Sequence, residues 1–240
     1  NAPVIPTAGS VQVDAGDAVV CTFTNTRTTG NLTLTKVVVD PLASSHTFDL
    51  LAGAKVVVDE AVNGSTGSTT VNTGPVTVSE SGANLGQYAT SIVCTEDGEP
   101  VARANDASSL QIDVEVGANV VCTFTNTRKT GNLTLTKTVV DPLNSGHSFD
   151  LRAGGTTVVA GATNGSTGST TVNTGPVTVS EAGGDLGLYS SAIVCNSAGQ
   201  PIAAGTGTSL TVNVTAGADI VCTFTNTRST GTLEVRKQLS

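Results

Sequence analysis

Apolar and polar residues alternate along most of this chain. In PVTVSE (75–80), VVCTFTNT (120–127) and GNLTLTK (131–137), valine, leucine, cysteine and phenylalanine keep largely to one parity and threonine to the other. A period of two marks a strand with one face in a core and the other in water. Runs rich in Val, Thr and Ile predict strands near 31–38, 46–51, 55–60, 69–72, 75–80, 87–95, 109–115 and 118–126. Turn signals separate them at Asp40-Pro41, Asn63-Gly64, Gly74-Pro75 and Asp97-Gly98. Almost nothing reads as helix. Seven or eight short strands in about 100 residues predict an all-β fold, a β-sandwich.

The pattern repeats. CTFTNTR occurs at 21–27, 122–128 and 222–228, so it returns after 101 and then 100 residues. A period of that length suits one small domain per repeat. Two complete copies are expected, 30–128 and 131–228. Residues 1–27 match the end of a preceding copy, and 231–240 (GTLEVRKQLS) match the first strand of a following one. These partial copies predict an array that continues in both directions. Only TRKTGN lies between Asn126 and Leu133, and so short a joint predicts a stiff, linear stack.

Composition narrows the function. A formal charge of −8 repels phosphate backbones, which speaks against a nucleic-acid partner. No apolar run reaches the length of a membrane helix, so this segment is not expected to insert. With no tryptophan and only seven aromatic residues the cores are modest, and staples would help. Cys94 and Cys122 fall in one copy, Cys195 and Cys222 in the next, with Cys21 left over. One pair per copy reads as a disulfide framework in an oxidising, extracellular setting. Zinc is the rival reading, but two cysteines per copy without clustered histidines make too few ligands. No cofactor motif and no metal site is expected.

The apolar faces end on polar residues. Leu133, Leu135 and Lys137 share a face; so do Val76, Val78 and Glu80, and Val120, Cys122, Phe124 and Asn126. A lysine and a glutamate forced inward are costly unless they pair or react. Burial favours a neutral lysine amine, which is a nucleophile. A carboxylic acid beside it can donate a hydrogen bond to an asparagine carbonyl and pass protons to departing ammonia. The product would be one amide between Lys and Asn, made once. Two plainer readings stand beside it: a buried Lys–Glu ion pair next to a hydrogen-bonded asparagine, and an edge lysine reaching solvent.

Through GNLTLTK, VTVSE and CTFTNT the chain resembles the prealbumin-like, collagen-adhesin B-type domains of Gram-positive surface proteins and pilins. In that family a first-strand Lys and a last-strand Asn form an autocatalytic isopeptide bond assisted by a middle-strand acid. The resemblance implies Lys36, Glu80 and Asn126 in copy one and Lys137, Glu181 and Asn226 in copy two. Asn25 and Lys237 would be half-sites. The cysteine pair departs from the best-known members, which mostly rely on the isopeptide alone.

Other features carry less. His46 and His147, each three residues before an aspartate (Asp49, Asp150), lack the further partners that a metal or catalytic triad needs. Sequons stand at Asn31, Asn63, Asn132, Asn164 and Asn213. The expected function is a non-enzymatic structural stalk or shaft of an extracellular, cell-surface fibre. Its partners would be neighbouring copies of the chain or fibre, with room for lateral self-association. The alternative is an adhesive repeat that binds a host, matrix or glycan ligand. Such a surface wants exposed aromatic anchors, and Tyr88 and Tyr189 are the only tyrosines.

Overall fold

The computed structural model describes residues 10–41, 46–82, 84–141, 146–183 and 186–238. It holds two tandem sandwiches of the same plan. The first comprises β1 (Thr29–Val39), β2 (Phe48–Ala52), β3 (Lys55–Ala61), β4 (Thr66–Asn72), β5 (Gly74–Ser81), β6 (Tyr88–Glu96), β7 (Glu99–Asn105), β8 (Ser109–Val114) and β9 (Asn119–Arg128). The second comprises β10 (Thr130–Val140), β11 (Phe149–Ala153), β12 (Thr156–Ala162), β13 (Thr167–Asn173), β14 (Gly175–Ala182), β15 (Tyr189–Ser197), β16 (Gln200–Thr206), β17 (Ser209–Val214) and β18 (Asp219–Arg228).

In copy one a sheet of order β4-β1-β9-β6-β7 packs on a sheet of order β3-β2-β5-β8. The inward parity of each strand fills the space between, with Leu32, Leu34, Leu50, Val78, Ile92, Ile112, Val120 and Phe124 buried together. On the outer face threonines and serines pair across strands, as Thr33 with Ser68 at 2.8 Å and Thr35 with Thr66 at 3.2 Å. The first and last strands lie side by side and parallel, from Asn31 opposite Asn119 to Val39 opposite Thr127. Gly30 permits this start, because a Cβ there would stand 2.9 Å from the Glu115 carbonyl oxygen.

Among the described residues each sandwich has nine strands rather than the expected seven or eight. The additional strands are β7 (EPVARAN) and β16 (QPIAAGT). Both are edge strands bonded to one neighbour, carry proline at their second residue and bury little. Proline is tolerated there because an edge strand leaves half its donors unused. A one-turn 3₁₀ segment, Leu85–Gln87, also stands just before β6, where a strand was expected to begin.

The joint between copies is a single residue, Lys129, between the end of β9 and the start of β10. It is tied on both sides. The Lys129 N–H donates to the Gln87 carbonyl at 2.9 Å, and the Thr174 N–H donates to the Lys129 carbonyl at 2.9 Å. Thr174 is fully buried, and its hydroxyl donates to the Gln87 carbonyl at 3.2 Å while facing Arg128 Nε at 3.5 Å. Residues 10–28 and 229–238 are exposed and contain no strand, and Cys21 is an exposed free thiol. Among the described residues no helix is long and apolar enough to cross a membrane.

Candidate functional site

Three strands bring an inward polar residue to one end of each core. Lys36 stands on β1, Asn126 on β9 and Glu80 on β5 of the facing sheet. Register fixes the first two: Lys36 lies opposite Phe124 and Val38 opposite Asn126, so lysine and asparagine are diagonal neighbours on one face. Glu80, held opposite Leu50, reaches across the sandwich to both. Lys36 and Asn126 are 0% exposed and Glu80 5%.

One oxygen serves both partners. Lys36 Nζ donates to Glu80 Oε2 at 2.6 Å, and Asn126 Nδ2 donates to the same oxygen at 3.3 Å. Copy two repeats this, with Lys137 Nζ at 2.7 Å and Asn226 Nδ2 at 3.3 Å from Glu181 Oε2. The other oxygens, Glu80 Oε1 and Asn126 Oδ1, are buried without a donor, as are Glu181 Oε1 and Asn226 Oδ1. Two buried acceptors without a donor are costly. Burial lowers the Lys36 and Lys137 pKa values from the ordinary lysine value, against the raising effect of the glutamate hydrogen bond and charge.

The pocket's apolar wall comes from residues that the sequence pattern did not single out for the site. The Phe48 ring lies 4.5 Å from Lys36 Nζ, and Phe149 lies 4.5 Å from Lys137 Nζ. Tyr88 packs edge-on to Phe48 at 5.7 Å, and Val38 joins them. The available signal was SHTFDL and GHSFDL, which place a phenylalanine at the same point in both copies. The neighbouring histidines support this wall: His46 Nδ1 is 3.1 Å from the Tyr88 hydroxyl, and His147 Nδ1 is 3.3 Å from that of Tyr189. Asp49 and Asp150 brace the bulged β2–β3 and β11–β12 pairs by accepting from the Glu60 and Gly161 N–H groups.

The cysteines meet inside the five-stranded sheets. Cys94 faces Cys122 and Cys195 faces Cys222, with S–S distances of 2.06 and 2.02 Å. Asn25 and Lys237 are exposed and lie outside both sandwiches. Among the described residues no cluster of three or more His, Cys, Asp or Glu could hold a metal. The sequon asparagines are mostly engaged: Asn31 donates to Asn119, Asn132 to Asp219, and Asn63 and Asn164 accept from backbone N–H groups.

No match was found among curated proteins. Among solved structures, the major pilin of Streptococcus pyogenes is similar at 15% identity and a TM-score of 0.33, over 85% of this chain and 99% of that one. The T-13 major pilin of S. pyogenes is similar at 16% identity and a TM-score of 0.35, over 84% and 97%. The Bacillus anthracis TIE protein is similar at 14% identity and a TM-score of 0.43, over 84% of this chain but only 34% of its own length. Family models described as prealbumin-like fold domain match residues 2–27, 32–128 and 128–224. The chain therefore belongs to the prealbumin-like fold domains, repeated in tandem.

Proposed function

We propose that each sandwich is a segment of the shaft of an extracellular, cell-surface fibre, locked by an isopeptide bond from Lys36 to Asn126 or from Lys137 to Asn226. The observation that carries this reading is the shared glutamate oxygen. Oε2 touches both the nucleophile and the leaving nitrogen in a pocket closed to water, and it does so in both copies.

In this reading the shared contact supports the following chemistry. Glu80 takes the proton from Lys36, and the neutral amine attacks Asn126 Cγ. The acid donates to the amide oxygen as negative charge grows there, and the proton returns through the carboxyl to Nδ2. The C–Nδ2 bond breaks, the carboxyl gives its remaining proton to the departing nitrogen, which leaves as ammonium, and an Nζ–Cγ amide remains with Glu80 a carboxylate again. Atoms and charge balance as lysine ammonium plus carboxamide giving secondary amide plus ammonium, so the chain loses the mass of one ammonia. The step happens once per copy, so this is self-modification without turnover. Disulfides Cys94–Cys122 and Cys195–Cys222 fit an oxidising compartment outside the cell. The partners in this reading are further copies of such sandwiches, packed end to end.

Intact mass under reducing conditions tests the reading. The wild-type chain should be lighter than its sequence by two ammonias, and Glu80→Ala should restore one of them. A wild-type mass equal to the sequence mass defeats the proposal.

A further inference from the structure

We infer that Asn63 and Asn164 are positioning residues for the cross-link, holding the end of each lysine strand in register with the asparagine strand. This rests on the proposed function above. The starting point is that β1 outruns one of its neighbours. Its pairing with β4 stops at Thr35 opposite Thr66, whereas its pairing with β9 continues to Val39 opposite Thr127. From Lys36 onward the strand is flanked by a strand on one side only. Backbone groups along a strand point alternately to its two neighbours, and those of Lys36 and Val38 point to the side where β4 has ended.

The Asn-Gly-Ser turn fills that side. The Lys36 N–H donates to the Ser65 carbonyl at 2.8 Å, and the Gly64 N–H donates to the Lys36 carbonyl at 2.9 Å. The Val38 N–H meets no backbone carbonyl; Asn63 Oδ1 accepts it at 2.9 Å. The asparagine side chain thus supplies the carbonyl that a continuing β4 would have offered. The turn is braced in itself, with the Val62 N–H on Ser65 Oγ at 2.9 Å and Gly64 at φ +87°. A left-handed backbone there suits glycine.

Val38 is the residue to hold. It stands directly opposite Asn126, and its side chain packs with Phe48 and Tyr88 at the end of the core where the amine lies. A loose Val38 would free both the aromatic wall and the lateral spacing of nucleophile and amide. Copy two repeats each contact: Asn164 Oδ1 accepts from the Val139 N–H at 2.9 Å, and Val139 stands opposite Asn226. The Gly165 N–H donates to the Lys137 carbonyl at 2.9 Å, and the Lys137 N–H donates to the Ser166 carbonyl at 2.8 Å. Since misplacement of reacting groups by about 1 Å costs roughly a hundredfold in rate, this pin acts on the speed of bond formation.

The test uses the whole 240-residue chain made by cell-free synthesis under oxidising conditions, with copy two as the internal clock. Samples taken over time are digested, and the linked Lys36–Asn126 peptide is quantified against the linked Lys137–Asn226 peptide by mass spectrometry. Asn63→Ala should slow linkage in copy one about ten- to a hundredfold relative to copy two. Asn63→Asp keeps Oδ1 and should restore most of the rate. Formation of Cys94–Cys122 reports folding of copy one separately. If Asn63→Ala does not form it, Asn63→Gln, whose amide sits one methylene out of place, carries the same comparison. Linkage in a folded Asn63→Ala copy one at the rate of copy two overturns the inference alone, as does an Asn63→Asp variant as slow as Asn63→Ala. Absence of both linked peptides from the wild type overturns the inference together with the proposed function.

Discussion

Removing the electrophile and removing the acid should destabilise copy one by different amounts, and the difference follows from what each leaves buried. Asn126→Ala abolishes the cross-link but keeps the Lys36–Glu80 contact at 2.6 Å. The bond would close a loop spanning the 90 positions from Lys36 to Asn126, and the chain-entropy relation for cross-links gives about 4.6 kcal/mol for that length. The lost hydrogen bond from Nδ2 to Glu80 adds about 1 kcal/mol. For a domain of this size the sum lowers the melting temperature by roughly 20–40 °C. Glu80→Ala also prevents the cross-link, and in addition strands a wholly buried Lys36 amine without a partner. Breaking a buried pair from one side costs a further 3–5 kcal/mol or about that. Scanning calorimetry with disulfides intact resolves the two copies, and unaltered copy two supplies the reference transition. Copy one should fall in the order wild type, Asn126→Ala, Glu80→Ala. An Asn126→Ala copy one that melts within about 5 °C of wild type would refute the loop argument.

Three further outcomes follow. Replacing Cys94 and Cys122 together by alanine should cost copy one about 3–4 kcal/mol, from a separation of 28 residues, read as a lower urea midpoint for that copy alone. In Asn126→Ala, Lys36 remains an amine with a lowered pKa, so the folded state binds fewer protons than the unfolded state between that value and 10.5. Stability of that copy should therefore rise with pH through this window, a slope absent from the linked wild type, whose amide does not titrate. Thr174→Val removes the hydroxyl that bridges Gln87 and Arg128 at the joint, and should broaden the interdomain distance distribution in solution scattering.

Much of this was legible because a sandwich strand writes its burial into alternate positions. The parity of LTLTK, PVTVSE and VVCTFTNT placed lysine, glutamate and asparagine on inward faces, and the burial of Lys36, Glu80 and Asn126 follows that parity. What escaped was the part written in other ways. Strand β7 has no apolar alternation to show, because its edge position buries little, although Asp97-Gly98, with both φ positive at 51° and 87°, is a hairpin turn that called for a partner strand. Phe48 lies within the predicted strand 46–51, but nothing local says that its ring will face an amine arriving from the other sheet. Asn63 read as a turn residue, since the hydrogen bond that matters joins it to Val38, 25 positions away.

The proposed isopeptide bond and the disulfide would divide the mechanical work because of where they sit on the topology. Strands β1 and β9 are parallel neighbours, and the chain enters copy one at the start of β1 and leaves at the end of β9. Pulling the ends apart therefore shears the β1–β9 hydrogen bonds along their length. With the proposed bond in place, tension runs up β1 to Lys36, crosses to Asn126 and leaves through Arg128. Everything from residue 37 to residue 125 then hangs outside the load path, and the copy cannot lengthen by unfolding. The disulfide carries no part of that tension, since Cys94 and Cys122 both lie within the unloaded stretch. Its work is to tie β6 to β9 and so keep the β7–β8 segment from peeling off an otherwise open edge. The load then meets the joint, where Lys129 alone bridges the copies and its carbonyl is held by the Thr174 N–H of the next sandwich. A fibre built this way transmits force through covalent bonds and leaves the weak interactions to set its shape.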